Sequence, residues 1–197
     1  MTAEEVSAIQ AVKAGDIEGL GILILIHQQR AIAAAFAIVR DQAVAEDVVA
    51  DAFIAVYDNI AQYDPSRPFA PWFYRIVTNG ALKAAKRSRR FRCAPAEWEM
   101  RSPGSDSSIS PEAEAVRGET RDSVAAAIAQ LPAGQRAAIV LRYYLDFDER
   151  EMAEILRIPR GTVKWRLFAA RRQLRESLMD YQRGPAQLSA DGEVTCQ

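Results

Sequence analysis

The chain has few of the residues that build metal sites and disulfide frameworks. Its 197 residues include two cysteines and one histidine. Cys93 and Cys196 lie far apart in the sequence, which fits a reducing compartment better than a disulfide scaffold. With His27 as the only histidine, no cluster has the count or spacing of a zinc site. We therefore expect no metal, no cofactor and no catalytic residue.

Long apolar runs are also missing. The run GLGILILI ends at the polar residues His27 to Arg30. It is much shorter than the roughly 20 apolar residues that a membrane span requires. We expect a soluble, cytoplasmic chain with no direct membrane insertion.

A strong net charge is missing too, but charges of each sign are segregated along the chain. Lys and Arg number 25 against 26 for Asp and Glu, a net charge of -1. Residues 1–60 are acidic, whereas residues 83–92 and 157–175 are almost purely basic. Two local positive fields of this kind suit contacts with nucleic-acid phosphates.

Helical periodicity dominates the sequence, and no stretch alternates convincingly as a strand would. We expect an all-α chain. The periodicity predicts helices over about residues 17–40, 44–60, 69–90, 120–129, 134–145, 148–156 and 159–180.

Composition divides these helices into two small domains. Residues 93–119 are rich in Pro, Ser and acids, as flexible linkers are. The predicted division is a first domain over residues 1–92, a linker over 93–119, a second domain over 120–180 and a disordered tail over 181–197.

One segment, RPFAPWFYRIVTNGALKAAKRSRRF at residues 67–91, combines aromatic residues with a basic end. Aromatic side chains stack on bases and cations bind phosphates, so the combination indicates nucleic-acid binding. A core role for Trp72 and Phe73 is at least as well supported, because both lie at helical core spacing. The basic end could also be only a solubilising helix terminus.

The segment EMAEILRIPRGTVKWRLFAARRQL has helix-turn-helix spacing. Arg157 occupies the turn position where glycine commonly supplies a positive φ angle. The inward residues of the second helix are Val163, Leu167, Ala170 and Leu174. The outward residues are Arg160, Lys164, Trp165, Phe168, Arg171 and Arg172. Such a face could enter a major groove, although a solvated basic helix has the same pattern.

These motifs occur in a specific order: AEDVVADAF, then YDPSRPFAPWFYRIVTN, a linker, and LPAGQRAAIVLRYYLDFDEREMAEILRIPRGTVKWRLFAARRQLRE. In this order the chain resembles an extracytoplasmic-function sigma factor of bacterial RNA polymerase, of the sigma-70 family, over roughly residues 17–178. The resemblance implies two domains, called regions 2 and 4, the second containing the helix-turn-helix.

The resemblance also implies a function. Such a factor binds core RNA polymerase, directs it to promoters and helps to melt the duplex, while the polymerase performs the chemistry. The implied partners are the clamp helices of the largest polymerase subunit, the flap of the second largest, promoter DNA and an anti-sigma factor. The factor would be nucleoid-associated when active and could be held at the membrane by the anti-sigma factor.

The resemblance assigns candidate roles to individual residues. Those expected at the minus-10 promoter element are Tyr63, Asp64, Pro65, Ser66, Arg67, Phe69, Tyr74, Arg75, Asn79, Lys83, Lys86 and Arg87. Those expected at the minus-35 element are Arg160, Thr162, Lys164, Trp165, Arg166, Arg171 and Arg172. Those expected at polymerase are Glu46, Asp47 and Asp51, for which a merely solvated acidic face is the alternative.

Two other functions remain open from the residues. A stand-alone helix-turn-helix regulator would use the second domain alone. A sigma-like protein that only sequesters an anti-sigma factor would not need its basic faces, which are intact here.

Overall fold

The computed structural model describes residues 2–88 and 122–183, which form helices and no strand. The all-α expectation is confirmed. The α-helices are α1 (Ala3–Lys13), α2 (Glu18–Val39), α3 (Gln42–Asn59), α4 (Phe69–Ser88), α5 (residues 122–130), α6 (Ala133–Ile139), α7 (Glu149–Leu156) and α8 (Arg160–Arg183). A 3₁₀ turn at Ile60–Gln62 follows α3, and a π-helical turn at Val140–Tyr144 follows α6.

Helices α1 to α4 form the first unit. Asp41 caps α3 by accepting a hydrogen bond from the Val44 N–H at 3.2 Å. Glu46 and Asp47 lie in the second turn of α3, which begins at Gln42. The apolar residues spaced at i, i+3 and i+4 along α3 and its end form a buried face: Val48, Val49, Ala52, Phe53, Val56 and Ile60.

Helix α1 was missed by the sequence analysis, which predicted no helix before residue 17. Thr2 caps it by accepting from the Glu5 N–H at 3.2 Å. A close approach fixes α1 against α2, because a Cβ on Gly19 would lie 2.5 Å from the Ala8 carbonyl oxygen. The apolar face of α1 is short, and it provides little periodic signal in the sequence.

Helix α2 is long and apolar enough to cross a membrane by length and composition, with a mean hydropathy of 1.7 over its most apolar window. Half of that window is buried in the protein. Leu23, Ala31 and Ile38 face the other helices and are almost fully buried. This burial is that of a core helix.

Helices α5 to α8 form the second unit, which contains the predicted helix-turn-helix. Asp148 caps α7 in a reciprocal arrangement: its carboxylate accepts from the Glu151 N–H at 2.8 Å, and the Glu151 carboxylate accepts from the Asp148 N–H at 2.8 Å. Arg157 adopts the left-handed conformation, with φ 53°, at the turn. Val163, Leu167 and Ala170 are buried as predicted.

The two units pack against each other, which the sequence did not indicate. Arg136 Nε donates to the Ile38 carbonyl at 3.0 Å, and Arg30 donates to the Tyr144 carbonyl at 3.0 Å. The Phe147 ring meets the edge of the Tyr74 ring with 5.8 Å between centroids. One side of α4 is therefore covered by the second unit. The predicted linker and most of the predicted tail lie outside the described residues.

Candidate nucleic-acid interface

The loop between the 3₁₀ turn and α4 is a preformed turn. Asp64 Oδ1 accepts from the Ser66 N–H at 2.9 Å, and the Arg67 N–H donates to the Asp64 carbonyl at 3.1 Å. Arg67 Nε lies 3.7 Å from Asp64 Oδ2. Hydrogen bonds from Ser66 hold the pKa of the Asp64 carboxyl below its usual value. The loop thus presents an ionised carboxylate, a hydroxyl and a guanidinium to solvent. We call residues 63–68 the capture loop.

Tyr63 is the first residue of the capture loop, but its side chain is buried, with 3% of the residue's surface exposed. Its hydroxyl donates to the Arg67 carbonyl, and its ring packs 5.2 Å from Trp72 and 5.7 Å from Phe69 between centroids. The structure therefore places the Tyr63 ring, which was expected at the minus-10 element with the rest of the loop, in the protein interior rather than in solvent.

Phe69 and Tyr74 were also expected at DNA and are also buried. Phe69 stacks on Phe73 with 5.8 Å between centroids. Tyr74 lies under Phe147, and burial raises the pKa of its phenol. The Tyr74 hydroxyl has no hydrogen-bond partner among the described residues. Central packing of α4 between α2, α3 and the second unit explains why these rings face inward.

The remaining predicted minus-10 residues lie on the outer side of α4. Arg75 and Asn79 are partly exposed, whereas Lys83, Lys86 and Arg87 are exposed. Spacing of four residues places Arg75, Asn79 and Lys83 along one stripe of the helix. Trp72 is the one aromatic side chain of residues 63–75 that is only partly buried.

Helix α8 carries its predicted contact residues on an open face. Trp165 is 61% and Phe168 65% exposed. Lys164 Nζ lies 3.8 Å from Glu149 Oε2 on α7, with Lys164 exposed and Glu149 partly exposed. Arg171 Nε donates to the Tyr143 hydroxyl at 2.8 Å.

The other predicted minus-35 residues differ in exposure. Arg160 and Arg172 are exposed, and Thr162 and Arg166 are partly exposed. The Arg166 guanidinium lies along α6, because a Cβ on Gly134 would meet it at 3.2 Å. The Arg166 side chain is thus partly engaged in contacts within the second unit.

The acidic face of α3 contains exposed apolar residues that the sequence analysis missed. Glu46, Asp47 and Asp51 are all exposed. C-terminal to them, on the same face of α3, lie Ile54, 60% exposed, and Tyr57, 41% exposed. The sequence does contain a signal for these two residues. Positions 46, 50, 54 and 57 are three or four residues apart, so they lie on one face of the helix.

An apolar groove with a volume of about 580 Å³ lies in the second unit, on the C-terminal half of α8. Arg171 and Arg175 contribute to its lining. The apolar and aromatic lining residues are Val124, Ile128, Ile139, Tyr143, Leu174, Leu178 and Met179. No single stretch of sequence indicates this groove, because three separate segments form it.

His27, expected to be structural, forms a buried pair in the first unit. Its Nε2 lies 2.9 Å from Glu5 Oε1, and both side chains are about nine-tenths buried. The Phe69 and Phe73 rings flank the imidazole at 5.4 and 5.5 Å. Burial lowers the pKa of His27, against the opposing effect of the Glu5 hydrogen bond. The imidazole is therefore neutral near pH 7.

Two family descriptions match the chain in the order of its two units. "Sigma-70 region 2" matches residues 23–91, and "Sigma-70, region 4" matches residues 121–174. The ECF RNA polymerase sigma factor SigW of Bacillus subtilis is 32% identical over 178 residues, which cover 87% of this chain and 95% of SigW. The chain belongs to the extracytoplasmic-function group of the sigma-70 family. It is an alternative sigma factor, which directs RNA polymerase to promoters.

Other sigma factors agree with this assignment. The RNA polymerase sigma-H factor of Pseudomonas aeruginosa is 29% identical over 86% of this chain and 91% of its own length. The structure of CnrH in complex with the cytosolic domain of CnrY superimposes with a TM-score of 0.64 at 25% identity, covering 90% of this chain and 98% of CnrH. The sigma factor RpoE from Bartonella quintana, in complex with the anti-sigma factor NepR, shares the fold with a TM-score of 0.60. Sigma factors are transcription initiation factors and are generally not enzymes.

Proposed function

We propose that this sigma factor reads the minus-10 element with the capture loop and the outer stripe of α4, and the minus-35 element with the open face of α8. The observation that carries the proposal is the presence of two separate solvent-facing surfaces, one in each unit, that combine cations with groups able to contact bases.

At the minus-10 element, the capture loop meets a base flipped from the duplex. Hydrogen bonds close its turn in the free protein. Binding DNA therefore costs the loop little further conformational entropy. Asp64 and Ser66 offer acceptors and a donor to a base edge, and Asn79 offers an amide. Trp72 supplies a partly exposed ring for stacking, which is worth about 1–3 kcal/mol per base. Lys83, Lys86 and Arg87 bind phosphates.

At the minus-35 element, the N-terminal half of α8 enters the major groove. Arg160, Thr162, Lys164 and Trp165 face base edges, while Arg166, Arg171 and Arg172 lie nearer the phosphates. Lys164 must leave Glu149 to do so. That release costs little, because exposed ion pairs contribute about 0–1 kcal/mol.

The acidic face of α3 binds the clamp helices of the largest polymerase subunit. Ile54 and Tyr57 supply an exposed apolar contact at the C-terminal end of α3, and Glu46, Asp47 and Asp51 supply an adjoining charged surface. The exposed apolar residues favour this role over a merely solvated face.

The apolar groove of the second unit binds the flap of the second largest subunit. It can take the apolar face of a helix, the common mode of helix-in-groove recognition. The groove lies on the C-terminal half of α8, whereas the residues proposed to face base edges lie in its N-terminal half. Arg171, proposed near a phosphate, also lines the groove, so the two sites adjoin.

An anti-sigma factor is a further partner, as the complexes of CnrH and RpoE illustrate for those two proteins. The factor is cytoplasmic, nucleoid-associated when it acts and held at the membrane where its anti-sigma factor is membrane-bound. It contributes no catalytic residue and needs no cofactor.

Run-off transcription with core polymerase on a pool of genomic fragments tests the proposal. We expect transcripts from discrete starts that depend on the factor and that weaken with Asn79→Ala and with Lys164→Ala. Gln29→Ala, which removes an exposed amide on α2, is the matched control and should leave the transcripts unchanged. Tight binding of duplex DNA without polymerase, and no new transcripts, would instead indicate a stand-alone regulator.

A further inference from the structure

Helix α1 contacts the capture loop from a position outside the segment that matches region 2. Lys13, the last residue of α1, donates from Nζ to the Tyr63 carbonyl at 2.7 Å. The same ammonium lies 5.7 Å from the centroid of the Tyr63 ring. The region 2 match begins only at residue 23. One side chain of α1 thus holds both the backbone and the ring of the residue that starts the loop.

Tyr63 in turn determines the shape of the capture loop. Its N–H donates to the Ile60 carbonyl at 3.1 Å, and its hydroxyl donates to the Arg67 carbonyl near the loop's other end. A shift of Tyr63 would therefore move both ends of the turn that presents Asp64 and Ser66. The buried ring is a support for the loop.

The attachment of α1 to the first unit does not depend on Lys13. Ala8, Ile9 and Val12 are almost fully buried, and Gly19 lets α2 approach the α1 backbone closely. The buried Glu5 carboxylate contacts His27 on α2 at 2.9 Å. Lys13 itself is exposed apart from its contact with Tyr63. Removal of its ammonium should leave α1 in place.

We infer that Lys13 is a positioning residue for promoter opening, which holds the capture loop in its base-binding form through Tyr63. The inference rests on the proposed minus-10 role of the loop. A charged donor on a carbonyl oxygen is stronger than a neutral one, and it fixes the loop before the base arrives. Without it, the loop samples other conformations and only a fraction of molecules can capture a base.

The test uses the factor assembled with core polymerase on a promoter identified by the native protein. Permanganate reactivity of the minus-10 thymines reports opening, and a filter-binding assay reports occupancy of the closed duplex. The variants are Lys13→Met, which keeps the length of the side chain without the charge, and Lys13→Arg, which keeps a donor. Gln10→Ala, one turn earlier on the exposed side of α1, is the control.

We expect Lys13→Met to reduce opening by roughly three- to tenfold, the loss expected for one partly exposed charged hydrogen bond. Closed-duplex occupancy and the Tm of the free factor should stay near their native values. Lys13→Arg should recover most of the opening, and Gln10→Ala should match the native protein.

Two results would overturn the inference. In the first, Lys13→Met opens the promoter as well as the native factor does. In the second, opening falls in step with Tm and Lys13→Arg does not restore it, which would mean that Lys13 only stabilises the fold. Failure of the native factor to open any promoter is a different result, which would refute the proposed function itself.

Discussion

The two surfaces proposed for DNA differ in how far most of their aromatic residues are exposed. In the first unit, Tyr63, Phe69 and Tyr74 are buried beneath the capture loop and α4. In the second unit, Trp165 and Phe168 stand in solvent. Helix α4 is packed on several sides, whereas the first half of α8 is packed on one. The same pairing of aromatics with cations in a sequence can therefore mean a support in one place and a contact in another.

The largest expected difference between the buried and the exposed aromatic residues is in their contribution to stability. Phe69→Ala should lower the free energy of unfolding by about 3–5 kcal/mol, because a fully buried ring leaves a cavity. Trp165→Ala should change it by no more than about 0.5 kcal/mol. Denaturant unfolding of both variants measures the difference. Equal losses of unfolding free energy in the two variants would contradict the distinction between a buried supporting ring and an exposed contact ring.

A smaller effect is expected at Tyr74, whose buried hydroxyl has no partner among the described residues. Tyr74→Phe removes an unsatisfied polar atom and should raise the free energy of unfolding by about 1 kcal/mol. Tyr57→Phe, at an exposed position, is the control and should be neutral. A clear loss of stability in Tyr74→Phe would show that the hydroxyl is satisfied in solution.

The salt dependence of DNA binding should show whether Lys164, on the exposed face of α8, contacts a base or a phosphate. Lys164→Ala in the assembled holoenzyme should reduce the slope of log K against log salt for minus-35 DNA by about one, if Lys164 reaches a phosphate. It should leave that slope nearly unchanged and relax the preference for one base if Lys164 reads a base edge, as proposed. Lys164→Arg, which keeps the charge, is the control. A variant that changes neither quantity would remove Lys164 from the interface.

The smallest effect concerns pH and should be confined to the first unit. Burial lowers the pKa of His27 below the ordinary value of 6.5, so the unfolded chain takes up the proton more readily than the folded one. Stability should be fully present above about pH 6.5 and decrease as the pH falls below it. The Glu5 hydrogen bond and charge oppose this lowering of the His27 pKa, and the charge of Arg30 adds to it.

Unfolding measured between pH 7.5 and 5.5 checks this expectation. His27 is the only histidine in the chain, so His27→Gln should remove most of the slope in that range. A slope that persists in His27→Gln would assign the pH dependence to another group.

Much of the fold follows from local pattern. The apolar face of α3 and the inward residues of α8 follow from helical spacing, and the Asp41 cap joins residues only three positions apart. The left-handed turn at Arg157 occurs at the position where the helix-turn-helix spacing required a positive φ angle. These features depend on residues within a few positions of each other.

Features that depend on distant residues were not predicted. Lys13 and Tyr63 are fifty residues apart, and Glu5 and His27 are twenty-two residues apart. No local sequence pattern therefore predicts either contact. Helix α1 itself was missed because its apolar face is only a few residues long. The apolar groove and the contact between the units likewise join separate segments.

The sequence by itself determined that the chain is all-α, where most helices lie, which segments are basic, and its resemblance to sigma factors. Those properties arise from periodicity, composition and motif order, which can be read along the chain without knowledge of tertiary contacts. Only the tertiary structure decided which aromatics are accessible and what supports the capture loop. The reason is physical: burial depends on how many neighbours surround a helix, and helix α4 acquires its neighbours from both halves of the chain.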